Sequence, residues 1–467
     1  MLASPMNLRL FLLLAVLALP AAAQPIAAPD CTVDADLAGD LKLQVRFHCR
    51  STGPISFVPE SERMSAHVSG LTVANGEARY QFDLRAYARA VDSPTAAVLR
   101  GEGVLATLSS WLLQPRGYDR TPVIDIRVRT ADGLGFAAGL PKAGDAWRLA
   151  GTSVGFAGYN ALGRLSFTDI VVPAPGSLRA GVARQDGVLR LAILDGITGV
   201  SHDELVDWVR RTAEAESNYW QGFTARQMMV GLVPMAGKRG VGFGRTVSGG
   251  GATVMVEVGV ETDRRRLFND WVLVHELVHT GMPYIRDRGT WLMEGAATYV
   301  EPIIRARAGW KTEEEVWMEW VKDMPQGAQA LAAGLQNASG RANYWAGATF
   351  MLLTDLSLRR ASNGAKGLED CLGGVLWSGI GAPHRIGIAE YAAACDHATG
   401  IGIMTDLVNS HYAIGTPVPL ATLWRELGVT MVGDRIVLDD TAPGAQWRKM
   451  IVFGMKPPKR VKLPWES

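Results

Sequence analysis

Two grammars divide the chain. From about residue 31 to 175, apolar and polar positions alternate in short runs punctuated by Gly, Pro and the pair Asn75-Gly76. The run LKLQVRF places Leu41, Leu43, Val45 and Phe47 on one face, with Lys42, Gln44 and Arg46 on the other. VIDIRVRT repeats the pattern with Ile124, Ile126 and Val128. Successive side chains of a strand point to opposite faces, so a period of two predicts strands. A turn-rich series of them predicts a β-sandwich-like domain over residues 24–175. The Pro/Gly-rich stretch VVPAPGSLRAG (171–181) marks the boundary.

Beyond it the pattern changes. VLRLAILD and ATVMVEVGV read as strands, the second preceded by Gly249-Gly250-Gly251. Between them, Ser201 with Glu204 three residues on forms a capping-box signature in front of a helical run. From Asn269 to about residue 410 helices dominate. The expected fold class is α+β, with the second domain (182–411) built as a mixed β/α half followed by a helical half. Residues 412–467 form a closing segment with a basic tail.

Composition narrows the function classes. The chain has 467 residues, 48% hydrophobic and 20% charged, which is ordinary globular material. A net charge of +1 gives no electrostatic argument for a nucleic-acid partner. Residues 1–23 carry Arg9, an apolar run from Leu10 to Leu19, then Pro20 and Ala21-Ala22-Ala23. That is the layout of a cleaved secretory signal, and it predicts a periplasmic or extracellular protein. No later segment is long enough to span a membrane. Four cysteines fit an oxidising compartment and allow three pairings. Cys31 with Cys49 and Cys371 with Cys395 are the local choices, against buried free thiols.

The chemistry is concentrated in residues 270–301, DWVLVHELVHTGMPYIRDRGTWLMEGAATYVE. Asp270 can cap a helix in which His275 and His279 stand one turn apart on one face, as two ligands of one ion must. Glu276 can lean over the open side of the metal as general base, the mechanics of an H-E-x-x-H zinc helix. A catalytic zinc needs a third protein ligand and a position for water. Glu294, on a second helix after a loop with Gly281, Pro283 and Gly289, is the natural third ligand. Glu301, seven residues later on the same face, is a candidate to accept the free N–H of a liganding histidine. One zinc ion is expected.

HELVH followed by WLMEGAATYVEPIIRARAG resembles the gluzincin metallopeptidases, especially the bacterial glycyl aminopeptidase family. ANYWAGATFMLLTDLSLRRASNGAKGLEDCLGGVLW strengthens the likeness, with Tyr344, Gly347, Leu352, Leu353, Asp355, Leu356, Arg359, Leu368, Asp370, Leu376 and Trp377 in the family's order. GTPVPLATLWRELGVTMVGDRIVL resembles its short closing stretch. The likeness covers roughly residues 200 to 437. It implies a thermolysin-like catalytic domain and a catalytic role for Tyr344, whose hydroxyl would donate to the oxyanion of the tetrahedral intermediate. The pattern departs from the family at Ala346, where a lysine is usual. It departs again in SGGGATVMVEVG, where the amine-holding glutamate is missing from its place and Glu257 comes several residues late. A C-terminal PDZ module is not expected.

The reading is a secreted zinc peptidase acting on peptides or proteins, with aminopeptidase activity one possibility. An extended substrate is expected to lie along the strand that follows the glycine run, at Gly250, Gly251 and Ala252 and onward. The alternatives are a catalytically weak zinc-containing binding protein of the cell envelope and a zinc hydrolase of a non-peptide amide.

Overall fold

The computed structural model describes residues 28–51, 53–175 and 186–454. The expected signal segment, most of the Pro/Gly boundary and the basic tail lie outside the described residues. Three sheets and a helical body are stacked in sequence, giving an α+β fold.

The outermost layer is a seven-stranded sheet centred on Cys31–Leu37, Lys42–Cys49 and Ile124–Thr130. Its alternation is the one read from the sequence: Leu43, Val45 and Phe47 are buried, while Gln44 and Arg46 are exposed. Cys31 and Cys49 face each other across a hairpin and are joined as a disulfide. A second disulfide, Cys371–Cys395, joins two helices, Leu368–Trp377 and Ile388–Thr399. Both local pairings are therefore present.

Beneath the outer sheet lies a four-stranded one made of Gly135–Ala138, Tyr159–Arg164, Glu102–Thr107 and Ala97–Arg100. It is buried on both faces. Val104 and Ala106 pack toward the outer sheet, while Leu105 packs with Met229 and Met255 of the next layer.

That next layer is a five-stranded sheet in the order Ser166–Val172, Gly187–Ile193, Gln227–Met235, Ala252–Gly259, Val241–Val247. The strand Ser166–Val172, expected in the first domain, belongs here instead. It pairs antiparallel with Gly187–Ile193 along its whole length, from Ser166↔Ile193 to Val172↔Gly187. The division between the layers therefore falls before residue 166, and the Pro/Gly stretch joins two neighbouring strands of one sheet.

The far face of this sheet carries the helices His202–Trp220 and Val272–Thr280. The first opens on the expected capping box, with Ser201 Oγ accepting from Glu204 N–H and the Glu204 carboxylate accepting from Ser201 N–H. The helical body that follows is organised around Trp291, Trp317 and Trp320, all fully buried. The closing segment, expected as separate, adds Leu423, Leu427, Ile451 and Val452 to this same core. No helix among the described residues is long and apolar enough to cross a membrane.

Candidate metal centre

The helix Val272–Thr280 is buried on nearly all sides, which hides any amphipathic stripe. Leu273 and Leu277, one turn apart, press on the five-stranded sheet. Val274 and Val278 enter the helical core. His275 and His279, offset by two residues from the leucine pair, project about 200° away from it. Asp270 stands at the helix start, its Oδ2 accepting from Leu273 N–H at 3.0 Å. Burial pushes its carboxyl up to about 6, against the pull of the backbone N–H groups it accepts from.

The second helix, Thr290–Arg307, crosses the first and brings Glu294 to the histidines. His275 Nε2 lies 3.3 Å and His279 Nε2 3.5 Å from the same Glu294 oxygen. The ligand atoms of all three residues lie within 4.8 Å of one another. Burial raises the affinity of Glu294 for a proton, but its bonds to His275 and His279 outweigh this and hold its carboxyl well below the usual range. At His279, burial opposes the charged form, and Glu294 more than compensates, raising it. Two imidazole nitrogens and an ionised carboxylate are the donor set of a three-ligand zinc site with room for water. The residues fit the ion.

Glu276 is held from the opposite side. Thr246 Oγ1, on the edge strand Val241–Val247, reaches both its carboxylate (2.8 Å) and its backbone carbonyl (2.7 Å). The edge strand comes close because residue 244 is glycine: a Cβ there would sit 2.5 Å from Glu276 Cγ.

Tyr344 opens the helix Ala342–Ala361. Its ring lies nearly parallel to that of His275, with centroids 6.0 Å apart and an interplanar angle of 21°. A second close approach sets its position, since a Cβ on Gly295 would fall 2.2 Å from Gly347 Cα. Only a glycine pair lets the Glu294 and Tyr344 helices cross at this distance. Burial, then the charges of Glu294 and Glu276, push the Tyr344 phenol up to about 12, so it remains a hydrogen-bond donor at neutral pH.

Two cavities meet at Tyr344. One, of about 450 Å³, is lined by Phe243 to Thr246, Glu276, His279, Glu294 and Tyr344, among others. The other, of about 630 Å³, is lined by Trp271, His275, Glu301, Arg305 and Tyr344, among others.

Solved structures share this fold. An aminopeptidase N family protein from Idiomarina loihiensis matches with a TM-score of 0.59 at 15% identity, over 86% of this chain and 78% of that one. An M1 zinc metallopeptidase from Deinococcus radiodurans matches with a TM-score of 0.47 at 13% identity, over 84% of this chain and 94% of that one. Aminopeptidase A from Legionella pneumophila does so at 0.47 and 10% identity, over 84% and 50% respectively. No protein-family model matches the sequence, and no curated protein does.

Two expected roles are not supported by position. Gly250, Gly251 and Ala252 line a different cavity, with Gly139 and Lys142 of the N-terminal half. The strand Ala252–Gly259 is paired on both sides, so its backbone is spent within the sheet, and the free edge facing the cleft is Val241–Val247. Glu301 is buried, and its carboxylate bonds Arg305, one turn along the same helix, at 2.9 Å rather than an imidazole. Burial pushes Glu301 up to about 7 against the pull of Arg305. Thr246, Gly244 and Trp271, whose ring stands edge-on to His275 at 5.5 Å, were not singled out by the sequence reading. The sequence signal for the first two is the alternation of glycine with larger residues in VGFGRTV.

Proposed function

We propose that this chain is a zinc-dependent peptidase that hydrolyses peptide bonds with a water activated at His275, His279 and Glu294, which would hold one ion. The observation that carries the reading is the convergence of both histidines on one Glu294 oxygen, with Glu276 and Tyr344 lining the cleft beside it. Bound zinc supplies an acidified water and polarises the scissile carbonyl. Glu276, oriented by Thr246, accepts the proton of the attacking water and returns it to the leaving amine. The Tyr344 phenol donates to the oxygen on which negative charge develops. The unpaired edge of Val241–Val247 offers main-chain donors and acceptors to an extended substrate.

The half from residue 186 onward is assigned the thermolysin-like arrangement, and the protein is assigned to an exported location, in keeping with its two disulfides. Peptide hydrolysis in general is better supported than the glycyl aminopeptidase selectivity. Among the described residues the carboxylates lining the cavity of about 450 Å³ are Glu276 and Glu294, and both are already engaged.

Metal analysis combined with a peptide-library digest of the mature protein tests the reading. The expected result is one zinc per chain, cleavage abolished by a chelator and restored by zinc. A fully zinc-loaded protein that cleaves no peptide would overturn it in favour of a binding protein.

A further inference from the structure

We propose that Arg245 makes the cleft a receptor for a carboxylate carried by the peptide substrate, in place of a site for a free amino terminus. The proposal rests on the peptidase reading above and names its substrate class.

An ammonium needs a carboxylate to receive it, and the cleft has none to spare. In the adjoining cavity Glu301, Glu319 and Asp323 each face a cation, Arg305, Lys311 and Arg341 respectively. Among the described residues the cavity of about 450 Å³ holds only Glu276 and Glu294 of that type. The first is taken by Thr246 and the second by both imidazoles. What the lining adds is a cation. Arg245 follows Gly244 and precedes Thr246 on the edge strand and lines the same cavity, its side chain turned to the strand face opposite the Thr246 hydroxyl that holds the base.

Its bonds fix the guanidinium without neutralising it. Nη1 donates to the Thr95 carbonyl at 2.6 Å and to the Tyr159 hydroxyl at 3.4 Å, both neutral oxygens. Most arginines on the other strands are treated differently, Arg116, Arg385 and Arg435 being the strand arginines that likewise have no ion pair among the described residues. Arg46, Arg127, Arg129, Arg148, Arg164 and Arg190 each pair with an aspartate or glutamate within 3 Å. Arg245 has no such ion pair among the described residues, and its Nε and Nη2 are not engaged by the bonds that orient it. A guanidinium presents its donors as a planar fork that matches a carboxylate. Held in a cleft with unspent donors and uncompensated charge, it selects an anionic group on whatever lies along the strand edge.

The carboxylate can come from an aspartate or glutamate side chain near the scissile bond or from the peptide's own C-terminus. The test uses one quenched-fluorescence peptide with Glu, Gln or Lys at each position flanking the cleaved bond. Each version is made with free and acetylated N-termini and with free and amidated C-termini. The zinc-loaded protein is expected to prefer Glu over Gln by about 10- to 100-fold in kcat/KM, the range of a charge-assisted bond. Acetylation should have little effect. Arg245→Met should bring the Glu/Gln ratio toward one, and Arg245→Lys should retain part of it. If the preference instead follows the free C-terminus and vanishes on amidation, the carboxylate is the terminal one. Equal cleavage of Glu, Gln and Lys peptides, or cleavage that requires a free amine, would overturn the proposal.

A binding arm separates this inference from the peptidase reading. In a Glu276→Gln background, calorimetry is expected to show the Glu peptide bound more tightly than the Gln peptide, with the difference lost on adding Arg245→Met. Binding of that kind without turnover by the parent protein would leave the carboxylate site standing and remove the peptidase. Turnover blind to charge would do the reverse.

Discussion

The outer sheet and the helical body use the same side chains for opposite ends. On the sheet, Arg129 pairs with Asp36 and Arg46 with Glu77 on a solvated face, where more than half of each arginine side chain is exposed. In the helical body, Asp355 and Arg359 pair out of contact with water, Arg359 also pairs with the largely buried Glu369, and Tyr299 donates to Asp355 at 3.0 Å. Tyr299 lies on the helix of Glu294, and Asp355 on the helix of Tyr344. Exposed pairs of the first kind contribute little to stability. Buried ones are costly to desolvate and very costly to break. The ion pairs anchor the tyrosine helix to the helix Leu368–Trp377, and the Tyr299 hydrogen bond to Asp355 ties that assembly to the ligand helix, which fits a positional role.

The largest expected effect breaks the chemistry and leaves the frame. Glu276→Gln should lower kcat by roughly 10²- to 10⁴-fold, the span of general-base catalysis, with zinc content unchanged by metal analysis. Next comes the frame itself. Arg359→Met leaves Asp355 buried without its cation, while Glu369 keeps Arg307 at 3.6 Å, and should cost about 3–5 kcal/mol in urea unfolding, whereas Asp36→Asn on the outer sheet should cost at most about 1 kcal/mol. Equal losses would erase the contrast between the two regions. Tyr344→Phe should reduce kcat by about 10²- to 10³-fold with full zinc, as for loss of one oxyanion donor.

A subtler test concerns Asp270. Its folded-state carboxyl, at about 6, stands above the usual 3.8. The folded state therefore binds this proton more tightly than the unfolded one. The associated stability is complete below about pH 4 and is lost as pH rises through 6, on the order of 3 kcal/mol in all. Asp270→Asn keeps an acceptor for Leu273 N–H and should flatten that part of the stability profile. An unchanged slope between pH 4 and 7 would remove Asp270 as its source.

The same comparison explains what could be read in advance. The outer strands were legible because one face is wet, so Leu43, Val45 and Phe47 alternate with polar neighbours. The four-stranded sheet offers no such contrast, since Val104, Leu105 and Ala106 are all buried. His275, Glu276, His279 and Glu294 were legible because helical spacing dictates which side chains can share an ion. Thr246 and Arg245 were not, because a sheet edge delivers them from another part of the chain and no local period announces it. The glycine run was misjudged for a related reason: its small residues border the N-terminal half rather than the cleft. Glu301 does share the face of Glu294, but Arg305 stands one turn away on the same helix and claims it.

The four-stranded layer, dry on both sides, leaves neither half of the molecule with a finished boundary. Excising residues 28–165 would strip Met229, Val233 and Met255 of their cover and bare one side of the sheet that carries Thr246. The part bearing the histidines is thus not a detachable module. Grafting or trading it between proteins would require carrying its greasy lining along.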